Sequence, residues 1–218
     1  MHSPNVFRVL TLVLVMISSA QLPAAPTDVA GAVTNTNGAP VADAVVFVQT
    51  PALDPDKSRP MQVVDQVDKT FVPGLLPIVV GTAVRFPNHD QIHHHVYSFS
   101  PAKTFELPLY KGEGADPVVF DKVGAVRIGC NIHDWMSGII LVLPSPHFAV
   151  TDRSGRFILE GLAAGTYTLA AWHALSKLKP DETAQPLQVG TTAPAVHFEL
   201  PLASPRPRPA MHGSRTTE

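Results

Sequence analysis

The chain has 218 residues, a formal net charge of −2, 22 prolines and one cysteine. With 16 basic against 18 acidic residues it has no basic surplus to hold nucleic acid. A single cysteine also excludes an internal disulfide. At the N-terminus, Arg8 precedes an apolar run from Val9 to Ile17, and Ser18 and Ala20 follow at the spacing of a cleavage site. This is the layout of a secretory signal peptide over 1–20, and its apolar run is short for a membrane span. Cleavage after Ala20 leaves 198 residues (218 − 20) and removes Arg8 but no acid, so the charge becomes −3. The mature protein is expected to be exported, periplasmic or beyond, with no membrane span.

The rest of the chain reads as all-β. Short runs of Val, Ile, Phe and Thr alternate with turn residues, and before residue 170 no segment keeps a 3.6-residue period free of Pro and Gly for three turns. Residues 28–50 read as strand, turn and strand, with Asn37-Gly38 as the turn dipeptide. Residues 70–90 hold two strands about a Gly-Thr turn, and "HHVYSFS" (94–100) is another. A polar, Pro/Gly-rich excursion is expected next. "AVRIGC" and "GIILVL" form two strands around residues 130–136. Residues 148–173 give three more, with turns at Arg153-Ser154-Gly155 and Ala164-Gly165, and "PAVHFEL" (194–200) is the last. The tail over 203–218 lacks core-forming residues and is expected to be disordered.

A lone thiol in an oxidising compartment needs burial, a partner chain or a metal. Cys130 has His133 and Met136 beside it. A thiolate, an imidazole and a thioether are soft or borderline donors, and a His₂Cys trigonal set with a weak axial Met is a blue-copper site. The second histidine must come from elsewhere, and "NHDQIHHHVY" (88–97) offers it. A Cys–His pair can also serve a hydrolase, but no separate residue is placed to orient it. Zinc suits Cys–His₂, whereas the methionine argues for copper. "TDRSG" lacks the spaced carboxylates of a calcium loop.

Three ordered motifs carry a family resemblance. Phe71, Pro73, Val80, Gly81, Val84, Phe86 and Asn88 come first, then "HHVYSFS", then C-x₂-H-x₂-M-x-G-x-I at 130–139. Residues 62–143 thereby resemble a cupredoxin of the plastocyanin/amicyanin type, with the short ligand loop of amicyanin. The resemblance implies one type 1 copper ion held by His94, Cys130, His133 and Met136. His95 stands where the family usually has Asn, and strand alternation alone leaves His95 open as the N-terminal ligand. The other histidines, including His89, read as a solvated cluster or a second, weaker metal site. Trp135 is either packing or an apolar collar around His133.

The flanking stretches carry a second resemblance. "GAVTNTNGAPVADAVVFV" and "TDRSGRFILEGLAAGTYTLAAWH" resemble a carboxypeptidase regulatory-like (transthyretin-type) sandwich. The expected organisation is a cupredoxin Greek-key sandwich (55–144) inserted in, or packed beside, a second seven-stranded β-sandwich (27–54 and 145–202). A rival arrangement joins the first hairpin to the cupredoxin as extra strands. The implied function is one-electron transfer, without substrate chemistry, between redox partners such as a c-type cytochrome or an exported dehydrogenase. The alternative is a copper-handling or partner-binding module whose cupredoxin is structural.

Overall fold

The structure is a computed structural model and describes residues 25–49, 59–114 and 116–204. The signal-peptide reading, the 54/55 boundary and nearly all of the tail lie outside these residues. The first strands are β1 (Thr27–Asn35), β2 (Val45–Val48), β3 (Gln62–Val63), β4 (Asp65–Val67), β5 (Thr70–Val72) and β6 (Leu75–Val79). Next come β7 (Ala83–Arg85), β8 (His94–Ser100), β9 (Lys103–Tyr110), β10 (Val118–Val119), β11 (Gly124–Cys130) and β12 (His133–Leu143). The chain closes with β13 (Phe148–Val150), β14 (Arg156–Leu162), β15 (Gly165–Trp172), the single-turn helix α1 (Pro180–Thr183), β16 (Gln185–Val189) and β17 (Val196–Leu200). Among the described residues no helix is long and apolar enough to cross a membrane.

Local chemistry sets the turns. Between β1 and β2, Gly38 takes a φ of +77°, and the Asn35 side chain accepts the amides of Asn37 and Ala39 at 2.9 and 3.0 Å. A left-handed residue beside a side chain that mimics the backbone is how Asn-Gly segments reverse a chain.

The sheets form a stack around three apolar clusters. The sheet β14-β1-β17 faces the sheet β13-β2-β15-β16 across a core that includes Val29, Val33, Val46, Leu159, Leu169 and Phe198. Val45, Phe47, Ala170 and Trp172 point the other way, onto Leu141 and Leu143 of β12. Beyond them the sheet β6-β12-β11-β8-β9 faces β10-β7-β3 across a core containing Phe71, Phe86, Val96, Phe120, Ile140, Cys130 and Met136. All four residues of β2 are therefore buried. A strand covered on both faces can be apolar at every position, which accounts for the unbroken "VVFV".

The two longest strands outside the sequence expectation are β9 and β16. The stretch after residue 100, read as a polar excursion, contains the eight-residue β9, and the unassigned residues 185–189 form β16. Both hold a proline, Pro108 and Pro186, and both lie at a sheet edge. An edge strand has one row of backbone groups unpaired, so proline removes no ladder bond there.

Candidate metal centre

Three neighbouring strands of one sheet bring the donors together. β8 begins at His94, β11 ends at Cys130, and β12 begins at His133 after the two-residue turn Asn131-Ile132. The expected 130–136 loop is thus a tight hairpin, with His133 and Met136 already on β12. The ladder is irregular at both ligand positions. The β8–β9 register shifts between His94 and Val96, and the β11–β12 register shifts between Gly129 and Cys130. A bulge breaks the in–out alternation and re-aims a side chain.

That irregularity separates His94 from its neighbour. His94 is wholly buried, with Nδ1 3.8 Å from Cys130 Sγ. The Nδ1 of His133 lies 3.6 Å from the same sulfur, and the two imidazole rings meet edge-on at 4.9 Å. His95 instead bonds Glu106 through Nε2 at 2.9 Å, and its buried Nδ1 has no hydrogen-bond partner among the described residues. Of the described residues, His94, Cys130 and His133 are the cluster whose donor atoms all fall within 4.8 Å of one another.

These separations suit a first-row metal ion. Metal–sulfur and metal–nitrogen bonds of about 2.3 and 2.0–2.1 Å, opened to 110–120°, hold the two donor atoms about 3.6–3.8 Å apart. The structure shows 3.6 and 3.8 Å. A thiolate with two imidazoles matches the trigonal His₂Cys set, so the three residues form a candidate copper-binding site. Met136 is 2% exposed and shares both its core cluster and a 450 Å³ surface groove with Cys130.

Several surrounding groups were not singled out by sequence. The Nε2 of His94 bonds Asp90 Oδ2 at 2.7 Å. The amides of Asp68 and Lys69 donate to the two Asp90 oxygens at 2.7 and 2.8 Å. Burial opposes ionisation of Asp90, but the Lys69 amide, the His94 ring and the Asp68 amide outweigh it and hold the carboxyl below its ordinary range. Asn88, read from the motif, is buried. Its amide donates to the carbonyls of Ile92 and Tyr110, both at 2.9 Å, and its oxygen accepts the Asp90 amide at 3.0 Å. It thereby fixes the 88–92 loop. Asp90 lies in plain view within "NHDQIHHH", but no spacing rule links it to His94 outside a helix.

Burial, with His94 and Lys69 nearby, pushes the His133 ring below its ordinary pKa, so at neutral pH it stays unprotonated and able to donate a lone pair. Trp135 is half-exposed, its ring 5.4 Å from that of His133. His89 is exposed and pairs with Asp65 at 2.8 Å, which raises its pKa. The extra histidines do not gather into a second metal cluster among the described residues.

No family model matches the chain, and no curated protein matches it. Solved structures similar to parts of it include an oxidised amicyanin variant, at 20% identity over 45% of this chain and 98% of that one, with a TM-score of 0.36. A purple cupredoxin from Nitrosopumilus maritimus is 24% identical over 38% of this chain and 100% of its own, at 0.34. A copper-containing nitrite reductase from Thermus scotoductus is 28% identical over 45% of this chain, at 0.37, and the match spans 25% of that enzyme. Superpositions this loose decide nothing about function, and the reading of the site rests on its donors.

Proposed function

We propose that the protein is an exported copper protein that carries one electron at a time between redox partners. The observation behind this reading is the meeting of Cys130 Sγ with the Nδ1 atoms of His94 and His133. Met136 is proposed as the weak axial donor. A bound copper ion supplies a Cu(II)/Cu(I) couple. The protein's part is to hold the donors still, so that little rearrangement accompanies the change of charge. His94 and Cys130 sit on neighbouring strands and His133 on the next, all in one five-stranded sheet.

His133 is the donor nearest to solvent, and the half-exposed Ile132 and Trp135 flank it. A small apolar rim around a ligand edge suits the brief, small-area encounters of redox proteins. The partner is proposed to be a c-type cytochrome or an exported dehydrogenase. The outer pair of sheets is proposed as a regulatory-like module that buttresses the ligand-bearing sheet from behind, through Trp172 and Phe47 against Leu141 and Leu143.

The test is copper titration followed by voltammetry. The reading predicts one copper per chain, a reversible one-electron wave and fast self-exchange. Ready loss of Cu(I) to a competing chelator, with slow exchange, would favour a copper-handling protein instead.

A further inference from the structure

The contact between His94 and Asp90 goes beyond metal holding. We propose that Asp90 is a positioning residue that fixes the tautomer and orientation of His94 and biases bound copper toward Cu(II); the copper half of this rests on the function proposed above.

An imidazole has two nitrogens, and only the one without a proton can bind a metal. A carboxylate 2.7 Å from Nε2 requires the proton there, which leaves the Nδ1 lone pair facing Cys130 and His133. The contact is sheltered: the His94 side chain is fully buried and that of Asp90 is 13% exposed. Asp90 is itself built in. The Asp68-Lys69 turn between β4 and β5 has φ of +51° and +57°, which turns both amides toward the carboxylate. Asn88 holds the Asp90 backbone. The hairpin β4–β5 thus acts on His94 through Asp90. A carboxylate against the remote nitrogen also raises the ligand's basicity. Its negative charge, in a setting poorer in water than bulk solvent, favours the more positive oxidation state.

The test compares wild type with Asp90→Asn, Asp90→Ala and Asp65→Asn. Asp65 is a nearby acid whose partner is His89, so its variant controls for general electrostatics. Ring ¹⁵N NMR of the metal-free protein reads the His94 tautomer directly. Wild type should show the Nε2-protonated form with slow exchange of that proton, and Asp90→Ala should mix the tautomers. Voltammetry of the copper-loaded proteins should show a positive shift for Asp90→Asn worth at least a tenfold loss of Cu(II) over Cu(I) preference, about 59 mV for one electron. Asp65→Asn should move it far less. A single unchanged tautomer in Asp90→Ala, or equal potentials in wild type and Asp90→Asn, overturns the proposal. If wild type takes up no copper, the electron-carrier reading falls and the proposed bias toward Cu(II) falls with it, while the tautomer result still decides whether Asp90 positions His94.

Discussion

The two pairs of sheets solve the same packing problem with different chemistry. Between the outer sheets the buried apolar cluster runs from Val29 to Leu200, and the buried polar Thr151 bonds Ala44 and Val41 at its margin. Near the inner cluster, Gln66, Asn88, His94 and Ser98 are also buried. Buried polar groups need partners, and removing one partner leaves the other unsatisfied. Here Asn88 makes three side-chain hydrogen bonds and His94 faces a carboxylate on one side and a thiol on the other. The outer pair packs a mostly apolar core, whereas the inner pair gives up some apolar packing to bury the candidate donor set. Mutations should therefore separate the two: outer changes should move stability and spare the centre, and inner changes should move both.

The largest stability effect should come from Phe157→Ala. Phe157 is 4% exposed and its ring lies 6.5 Å from that of Phe198. Emptying such a site costs about 3–5 kcal/mol. Chemical denaturation should show that loss, with the copper spectrum of the folded protein unchanged. Gly31→Ala should follow. A Cβ there would lie 2.3 Å from both Phe157 Cζ and the Val196 carbonyl, in the middle of β1. Overpacking of this kind costs about 1–3 kcal/mol, again without a change at the metal. A matching spectral change in either variant would show that the two pairs of sheets are not separable.

Asn88→Ala sharpens the comparison from the other side. It leaves two part-buried carbonyls, of Ile92 and Tyr110, without their donor, at up to about 1–3 kcal/mol, and frees the loop that carries Asp90, so copper affinity should fall with stability. Loss of stability alone would remove the loop from the account of the site. The smallest effect is pH-dependent. Burial is the main cause that lowers the pKa of His173 from its ordinary 6.5, against the opposing pull of Asp43 and the Ala42 backbone. A histidine depressed by folding takes up its proton more readily when unfolded. Its contribution is complete above pH 6.5 and is lost as pH falls from there toward the folded value. Wild type should lose midpoint stability across that interval, and His173→Phe should lose less.

Much of the inner region was legible because its residues are constrained chemically. A lone cysteine in C-x₂-H-x₂-M between apolar strands has few uses, and the structure brings Cys130 and His133 together. The unbroken "VVFV" read only as a strand, not as one buried on both faces between two cores, because an apolar run carries no record of its partners. β9 and β16 were hidden by Pro108 and Pro186, since a sheet edge cannot be told from a loop one residue at a time. The choice between His94 and His95 was hidden by the bulge, because two-residue alternation is the rule that a bulge breaks. Asp90 reaches His94 through a loop fixed by a distant hairpin turn, and such a long-range contact leaves no local pattern.

The central claim is that Cys130 is a copper ligand together with His94 and His133. The most direct measurement is the visible absorption spectrum of the Cu(II)-loaded protein beside that of Cys130→Ser. The account predicts an intense thiolate-to-copper band in the wild type and its disappearance in Cys130→Ser while the fold, read by circular dichroism, is kept. A colourless wild type, or a band that survives loss of the thiol, would contradict it.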